Sequence, residues 1–249
     1  MKIATWNVNG IRKRQPQFLE WIERKRPDIV CLQEIKATPA QLADELCNLA
    51  GYRCYWHGER AYSGVSLQVR QDTIADEPVF SHPKFDRDTR VVEARLGKLC
   101  VASIYVPNGG KDYPDKLKFL EELREYTAER LSETDQLVLC GDMNVTRTDR
   151  DVHRSERNPR LIGQRPDERV LFESILNRGL VDLARDMNPD DDGLFSWWAP
   201  WREHRQRNIG WRIDYQLVSP AMAERAQGCW VEREVGTSDH APVVAEFTI

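Results

Sequence analysis

The sequence holds no Cys-x-x-Cys pair, no run of 18 apolar residues and no excess of positive charge. Each absence excludes something. The six cysteines, Cys31, Cys47, Cys54, Cys100, Cys140 and Cys229, match neither a zinc ribbon nor a dense disulfide framework. Cys31, Cys100 and Cys140 sit in apolar runs, as buried reduced thiols do. Disulfides and structural zinc are therefore not expected, and a cytoplasmic, reducing compartment is. With no long apolar run, no transmembrane helix is expected. The opening Met-Lys-Ile-Ala-Thr-Trp-Asn reads as a strand rather than a signal peptide. A net charge of −4 argues against a protein that coats nucleic acid by charge alone. It leaves room for a basic face on an acidic body. No Pro-, Gly- or Ser-rich linker interrupts the chain, so residues 1–249 are expected to form one α/β domain.

What is present is a grammar of strand ends. Leu137 to Cys140 is a short apolar run of the kind buried on both faces, followed by Gly141, Asp142, Met143 and Asn144. The glycine permits a sharp turn. Asp142 and Asn144, two apart, then lie on one side just past the strand, where open α/β sheets hold ligands. Alone, Gly-Asp-x-Asn is as much an Asx turn as a site. The pattern recurs, however. Lys2–Thr5 reads as a strand ending in Trp6-Asn7-Val8-Asn9-Gly10, and Ile29–Leu32 as one ending in Gln33-Glu34. Leu99–Val106 ends in Tyr105-Val106-Pro107-Asn108-Gly109, Arg212–Val218 contains Asp214, and Ser238-Asp239-His240 precedes a last strand, Val243–Phe247.

Further strands are expected at Tyr52–Trp56, Gly64–Val69, Arg90–Leu96, Leu180–Leu183 and Cys229–Glu232. Helices are expected over Gln15–Arg26, Asp115–Leu131 and Asp167–Arg178. One more is expected after a Thr38-Pro39 cap, with Leu42, Leu46 and Leu49 as its stripe. A loose echo between the halves suggests two similar layered halves facing each other.

If these strands are neighbours, Glu34, Asp142, Asp214 and Asp239 converge, and converged carboxylates need a cation. With only five histidines in the chain, the donor set suits Mg²⁺, or Mn²⁺ in its place, better than zinc. Asn7, Asn144, Tyr105 and His240 are left to hold phosphate oxygens or a water. The chemistry this predicts is metal-assisted phosphodiester hydrolysis. Asp142, oriented by Asn144, is the candidate base, and His240 pairs with a carboxylate, Asp214 above all. Each residue also has a plainer reading: Glu34 solvated, Asp214 on a strand's polar face, His240 a cap, Tyr105 in the core. Their regular recurrence at strand ends favours the shared site.

These six motifs, in order from residue 6 to residue 242, resemble those of the exonuclease III type of apurinic/apyrimidinic endonuclease. The resemblance implies a four-layer α/β sandwich of two stacked mixed β-sheets flanked by helices. It implies Mg²⁺-dependent DNA repair on double-stranded DNA: incision 5′ to abasic sites, 3′→5′ exonuclease action and cleaning of 3′ ends, by a monomer. It casts Glu34 as the main metal ligand with Asp239 in support, Asp142 and Asn144 as the water-orienting pair, and Asp214–His240 as an Asp–His pair. Tyr105, Asn7 and Asn108 become phosphate or network residues. Where some members carry Asp, this chain has Asn9, which argues against a second metal.

By motif position, Trp197, Trp211 and Ile213 resemble the walls of a pocket for a bare sugar, which swings out at low unstacking cost. Trp198 and Trp201 are equally readable as core. Lys111, Arg202, Arg205, Arg207 and Arg212 are expected on phosphates, as is Arg147 in the arginine-rich loop Thr146–Arg169. Acids interspersed in that loop point to internal ion pairs for part of it. Phosphatases of inositol polyphosphates and sphingomyelinases share the fold class, but Gly-Trp-Arg-Ile-Asp-Tyr is the nuclease form. A regulator that had lost catalysis would be expected to lose one of the motif aspartates, and both are intact.

Overall fold

The computed structural model describes residues 1–59, 61–74 and 76–248. In chain order the elements are β1 (Lys2–Asn7), α1 (Ile11–Lys25), β2 (Ile29–Gln33), α2 (Asp44–Cys47), β3 (Tyr52–His57), β4 (Val65–Arg70), β5 (Val79–Ser81), β6 (Val91–Leu96), β7 (Leu99–Tyr105), α3 (Tyr113–Glu133), β8 (Gln136–Asp142), α4 (Pro166–Leu176), β9 (Val181–Asp182), α5 (Leu183–Met187), β10 (Asp214–Val218), α6 (Pro220–Ala223), β11 (Ala226–Val231) and β12 (Val243–Phe247). They form two six-stranded sheets, ordered β11-β12-β1-β2-β4-β3 and β5-β6-β7-β8-β10-β9. Both are mixed. The β1–β2 pair is parallel and joined through α1; the β7–β8 pair is parallel and joined through α3. The expected echo of strand, helix and strand is thus real, and the two halves face each other.

The continuous apolar runs have a simple cause: both faces of the central strands are covered. In β8, Val138 and Cys140 face the other sheet, while Leu137 and Leu139 pack against Phe119, Leu120 and Leu123 of α3 and Phe172 and Ile175 of α4. In β1, Ile3 faces inward, and Ala4 and Trp6 meet Phe18, Trp21 and Ile22 of α1. Layers therefore run helix, sheet, sheet, helix. At about 1.5–3 kcal/mol per fully buried aliphatic or aromatic side chain, these three clusters are the main favourable term. Amide N–H groups between the sheets find acceptors. Gln33 Nε2 donates to Ser103 Oγ at 3.0 Å, and Gln216 Nε2 to the carbonyl of Ile3 at 2.9 Å.

One expected helix fails. After Thr38 the chain makes a 3₁₀ turn at Pro39–Gln41, runs extended at Leu42 and Ala43, and then forms the single turn of α2. Leu42, Leu46 and Leu49 are nevertheless all buried. Their spacing recorded burial, which a broken segment satisfies as well as a helix. α1 starts four residues earlier than its apolar pattern, at Ile11. Gly10 and Ile11 donate their backbone N–H groups to the carbonyls of Glu34 and Ile35 (2.7 and 3.1 Å), docking the helix start on the end of β2. The short edge strand β5 was not expected; its outer residue Val79 is exposed and carries no alternation.

Candidate active site

The strands set a common rim. Asp142 at the end of β8 lies opposite Tyr105 of β7 on one side and Asp214 of β10 on the other. Asn7 ends β1 in register with Gln33, so Glu34 follows directly beside it. Gly141 is what permits this packing. It has φ +149°, and a Cβ there would stand 1.8 Å from the carbonyl oxygen of Ile104. Any side chain would force β7 and β8 apart at the residue before Asp142.

Asp142 is buried and held on both oxygens. Its Oδ1 accepts from the backbone N–H of Asn144 at 2.9 Å, and its Oδ2 from Asn7 Nδ2 at 2.8 Å. Asn144 takes left-handed backbone (φ +51°), which asparagine tolerates. It donates Nδ2 to the carbonyl of Val106 at 2.8 Å and has the same group 3.4 Å from Asp142 Oδ2. Burial pushes the Asp142 carboxyl up to about 7. Asp214 and Glu34 add to the rise, against the pull of His240 and Asn7.

His240 is buried, with Nδ1 2.9 Å from Asp214 Oδ2 and Nε2 3.9 Å from Asp142 Oδ2. Burial works against its charge, but Asp214 and Asp142 prevail and raise it to about 10, so the imidazolium is the resting form at neutral pH. Both ring nitrogens then carry protons, one engaged by Asp214 and one directed toward Asp142. Ser196, absent from the sequence reading, clamps Asp214: its Oγ donates to Oδ2 at 2.7 Å. The backbone N–H of Asp214 donates to that same Oγ at 3.0 Å.

Glu34 is held through both oxygens, Oε1 by Asn7 Nδ2 at 2.9 Å and Oε2 by Lys36 Nζ at 2.6 Å. Burial alone would raise its pKa; Asn7, Lys36 and the His240 charge outweigh that and lower it. Lys36 was also missed, although Glu34-Ile35-Lys36 places it two residues away. Both Glu34 and Lys36 have φ near +50° (51° and 50°), strained backbone for residues of this type. Lys36 Nζ donates on to Asn9 Oδ1 at 2.7 Å, and Asn9 Nδ2 to Asp239 Oδ1 at 2.9 Å. Asp239 thus reaches Glu34 only through an Asn9–Lys36 bridge. Its other oxygen accepts from Trp197 Nε1 at 3.1 Å. Burial opposes the lowering of its pKa, which the His240 charge and the Asn9 and Trp197 hydrogen bonds bring about.

The donor set fits a hard divalent cation. Glu34, Asp142 and His240 each offer an atom within 4.8 Å of the others. With His240 protonated, the ligands available are carboxylate oxygens. Glu34, Asp142, Asp214 and Asp239 face two local cations, Lys36 and His240, so about two negative charges remain to be neutralised. Burial is the main reason that the Asp142 pKa is raised, and the neighbouring carboxylates Asp214 and Glu34 add to it.

These groups open on a cleft of about 370 Å³ lined also by Tyr105, Asn108, Gly110, Ile162, Gly163, Trp197, Trp211 and Ile213. Trp197 and Trp211 meet edge to face at 5.4 Å, and Ile213 is buried beside them. Gly163 (φ +93°) lies under Trp211, where a Cβ would be 2.9 Å from the indole. A larger cleft of about 940 Å³, lined by Arg24, Asn188, Trp230 and Glu232 among others, holds none of the convergent carboxylates. Chemistry, not size, selects the smaller one.

The endonuclease/exonuclease/phosphatase family model matches residues 4–240. The chain belongs to that family. It is 32% identical to an exodeoxyribonuclease of Bacillus subtilis, over 98% of both chains. Its fold matches an AP endonuclease from Archaeoglobus fulgidus (TM-score 0.90, 29% identity, all of both chains). It equally matches the 3′ phosphatase NExo from Neisseria bound to a product DNA hairpin (TM-score 0.90, 32% identity, all of both chains). The family's four-layer sandwich is the architecture described above.

Within this family member, several expected phosphate contacts are placed elsewhere. Arg212 is buried, forked on Asp182 at 2.7 Å and bonded to Asp151 at 2.7 Å. It braces the segment between Trp211 and Ile213 from behind. Arg147 forks on Glu173 at 2.8 and 2.9 Å, turned away from the cleft lining. Arg205 donates to the backbone carbonyls of Arg233, Val235 and Ser238. In each case carboxylates or carbonyls nearer in the fold capture the guanidinium. The loop arginines Arg165 and Arg169 pair with Asp167 and Asp149 inside the loop, as its interspersed acids suggested, whereas Arg150 pairs with Asp192 outside it. Lys111, Arg202 and Arg207 are exposed. Asn108 lies on the rim, its Oδ1 accepting from the N–H of Gly110 at 2.9 Å. Tyr105 is buried beside Glu34 and Asp142; burial and those two charges raise its phenol well above 10. Trp198 is core, whereas Trp201 is 59% exposed.

Proposed function

We propose that this protein is a Mg²⁺-dependent DNA-repair phosphodiesterase that incises double-stranded DNA 5′ to abasic sites and also trims and cleans 3′ ends. The observation that carries this reading is the Asn7–Asp142–His240–Asp214 array, a carboxylate poised near neutrality beside a protonated imidazole. Asp142 takes the proton of the attacking water, with Asn144 fixing its orientation. The water oxygen bonds to phosphorus, the P–O3′ bond breaks and the leaving O3′ takes a proton from solvent, so the products are a 3′-hydroxyl and a 5′-phosphate on the abasic sugar. His240, kept charged by Asp214, together with Asn7 and Tyr105, steadies the phosphoryl oxygens as charge builds. Glu34, with Asp239 in support, would hold the Mg²⁺, which neutralises phosphoryl charge when bound. Mn²⁺, similar in its taste for oxygen ligands, is expected to substitute.

Trp197, Trp211 and Ile213 accept a sugar without its base, and Asn108, Lys111 and the exposed Arg202 and Arg207 face the flanking backbone. The names of the relatives, an exodeoxyribonuclease, an AP endonuclease and a DNA-bound 3′ phosphatase, support each activity in turn. We take residues 1–249 as one catalytic domain acting as a monomer. The free cysteines support a reducing, cytoplasmic setting; among the described residues no helix is long and apolar enough to cross a membrane.

The test is a gel assay on an abasic duplex, an intact duplex and a 3′-phosphate primer, each with Mg²⁺ and with EDTA. Incision of the abasic strand that EDTA abolishes is expected. No cleavage of any substrate with Mg²⁺ would overturn the reading.

A further inference from the structure

The two sheets also touch at their outer edges, far along each sheet order from the catalytic strands. Tyr55 of β3 stacks on Phe80 of β5, with ring centroids 5.1 Å apart. Beside that stack, the last residue of β3, His57, and the residue after β5, His82, lie ring on ring at 3.9 Å. A carboxylate completes the group: Asp86 Oδ2 is 2.6 Å from His57 Nε2. Ligand atoms of His57, His82 and Asp86 all lie within 4.8 Å of one another.

Three features make this more than an ordinary His–Asp contact. The carboxylate is aimed: Asp86 Oδ1 accepts the backbone N–H groups of Arg90 and Val91 at 2.8 and 2.9 Å, which leaves Oδ2 facing the imidazoles. That is the outer support a metal-ligating carboxylate uses. The pocket is graded: His57 and Asp86 are largely covered, while His82 is exposed, so one side stays open to water. The donor set is two imidazoles and one carboxylate, which favours a borderline metal over Mg²⁺.

We propose that His57, His82 and Asp86 form a second metal site, of the Zn²⁺ class, that staples the edge of one sheet to the edge of the other and takes no part in the catalytic cleft. The rings now stack with planes 23° apart, and both nitrogens of His82 are hydrogen-bonded elsewhere. Binding turns the exposed His82 ring toward Asp86 Oδ2, giving up the 2.8 Å contact of its Nε2 with the Tyr55 hydroxyl and the 3.3 Å contact of its Nδ1 with the Val91 carbonyl. The proton between His57 Nε2 and Asp86 passes through solvent to His57 Nδ1, so the ring stays neutral while Nε2 is free to ligate. Water fills the remaining coordination. The absence of Cys-x-x-Cys gave no hint of this, since the two histidines stand 25 residues apart and meet only where the sheets do.

The experiment is a calorimetric Zn²⁺ titration of the full chain, with excess Mg²⁺ present, on wild type, Glu34→Ala, His82→Ala and Asp86→Asn. One saturable Zn²⁺ per chain is expected in wild type and in Glu34→Ala, whose catalytic cluster is broken. In His82→Ala and Asp86→Asn affinity should fall at least about tenfold, as loss of a ligand or its support does. His82 is exposed, so His82→Ala should fold and keep the Mg²⁺-supported nuclease activity. A Zn²⁺-dependent rise in Tm should appear in Glu34→Ala and vanish in His82→Ala. Equal affinity in wild type and His82→Ala would overturn the proposal. So would binding lost in Glu34→Ala but retained in Asp86→Asn, or no saturable binding in wild type.

Discussion

Lys116 and Glu168 are both wholly buried, and their ion pair closes at 2.5 Å. The pair is not isolated from the cleft. Lys116 Nζ also donates to the carbonyl of Asn144 at 2.7 Å and reaches that of Asn108 at 3.5 Å. Glu168 Oε1 accepts from the N–H groups of Gly163 and Arg165, at 2.5 and 2.9 Å. Three separate wall segments, at 108, 144 and 163, are therefore tied to one buried pair. Lys116→Met alone strands a carboxylate away from water, which costs about 3–5 kcal/mol. The two backbone N–H groups left on Glu168 place this case at the lower end, about 3 kcal/mol. Lys116→Met with Glu168→Gln removes both charges at similar volume and keeps an acceptor for the N–H groups of Gly163 and Arg165, so most of that loss should be recovered. Thermal melts should therefore show a large loss in the single variant and recovery in the double. Activity should not recover, because nothing then donates to the carbonyl of Asn144, the residue that orients Asp142. A displacement of about 1 Å at such a group can cost about 10²-fold, so single-turnover incision of an abasic duplex should fall about 10- to 100-fold in the double variant. KM should move little, since neither residue reaches solvent. A stable double variant with wild-type kcat would refute the reasoning and leave the pair as packing alone.

Asp142→Asn should cut incision by orders of magnitude while abasic DNA still binds; unchanged turnover in a quenched-flow assay would remove Asp142 as the base. The same variant has a stability signature in EDTA. The Asp142 pKa is raised on folding from 3.8 to about 7, so its protonated form stabilises the fold below the unfolded value, and that contribution is lost as pH rises through about 7. The Tm advantage of Asp142→Asn over wild type should accordingly grow between about pH 4 and pH 7, and a flat difference would contradict the shift. Glu34→Ala should raise the Mg²⁺ concentration for half-maximal activity, and an unaltered Mg²⁺ titration would take Glu34 out of the metal site. Trp211→Ala should harm abasic incision more than 3′-end trimming; equal losses in parallel gel assays would make Trp211 a core residue.

Much of the site was legible because its residues sit at strand ends, and strands buried on both faces advertise themselves as apolar runs. Gly141-Asp142 needed no partner to be noticed. The pairing of His240 with a carboxylate, Asp214 above all, was named from the same motif residues. What escaped notice depends on long-range geometry. Leu42, Leu46 and Leu49 have helical spacing, yet only one turn forms, because burial does not specify backbone. Arg212 reads like its arginine neighbours and becomes a buried brace only because Asp151 and Asp182 come beside it from distant segments. Lys36 was visible at two residues from Glu34, but that its ammonium would bridge Glu34 to Asn9 required the left-handed turn at both positions. Nothing local distinguishes His57 from His82, and their meeting depends on how two sheet edges align.

The rim divides the cleft by origin. Asn7, Tyr105, Asp142 and Asp214 come from strand ends whose spacing is fixed by the ladders between β1 and β2 and between β7, β8 and β10. Asn108, Ile162, Gly163, Trp197 and Trp211 lie outside the strands, on connections where only isolated bridges, Trp197 with Trp211 among them, pair the backbone. Four of the groups that cut are thus set by the sheet ladders, and those that choose what is cut by the connections between strands. Transplanting the segments around 160–165 and 197–211 from a relative should redirect the enzyme among abasic sites, 3′ ends and other lesions while its pH profile stays where Asp142 and His240 put it.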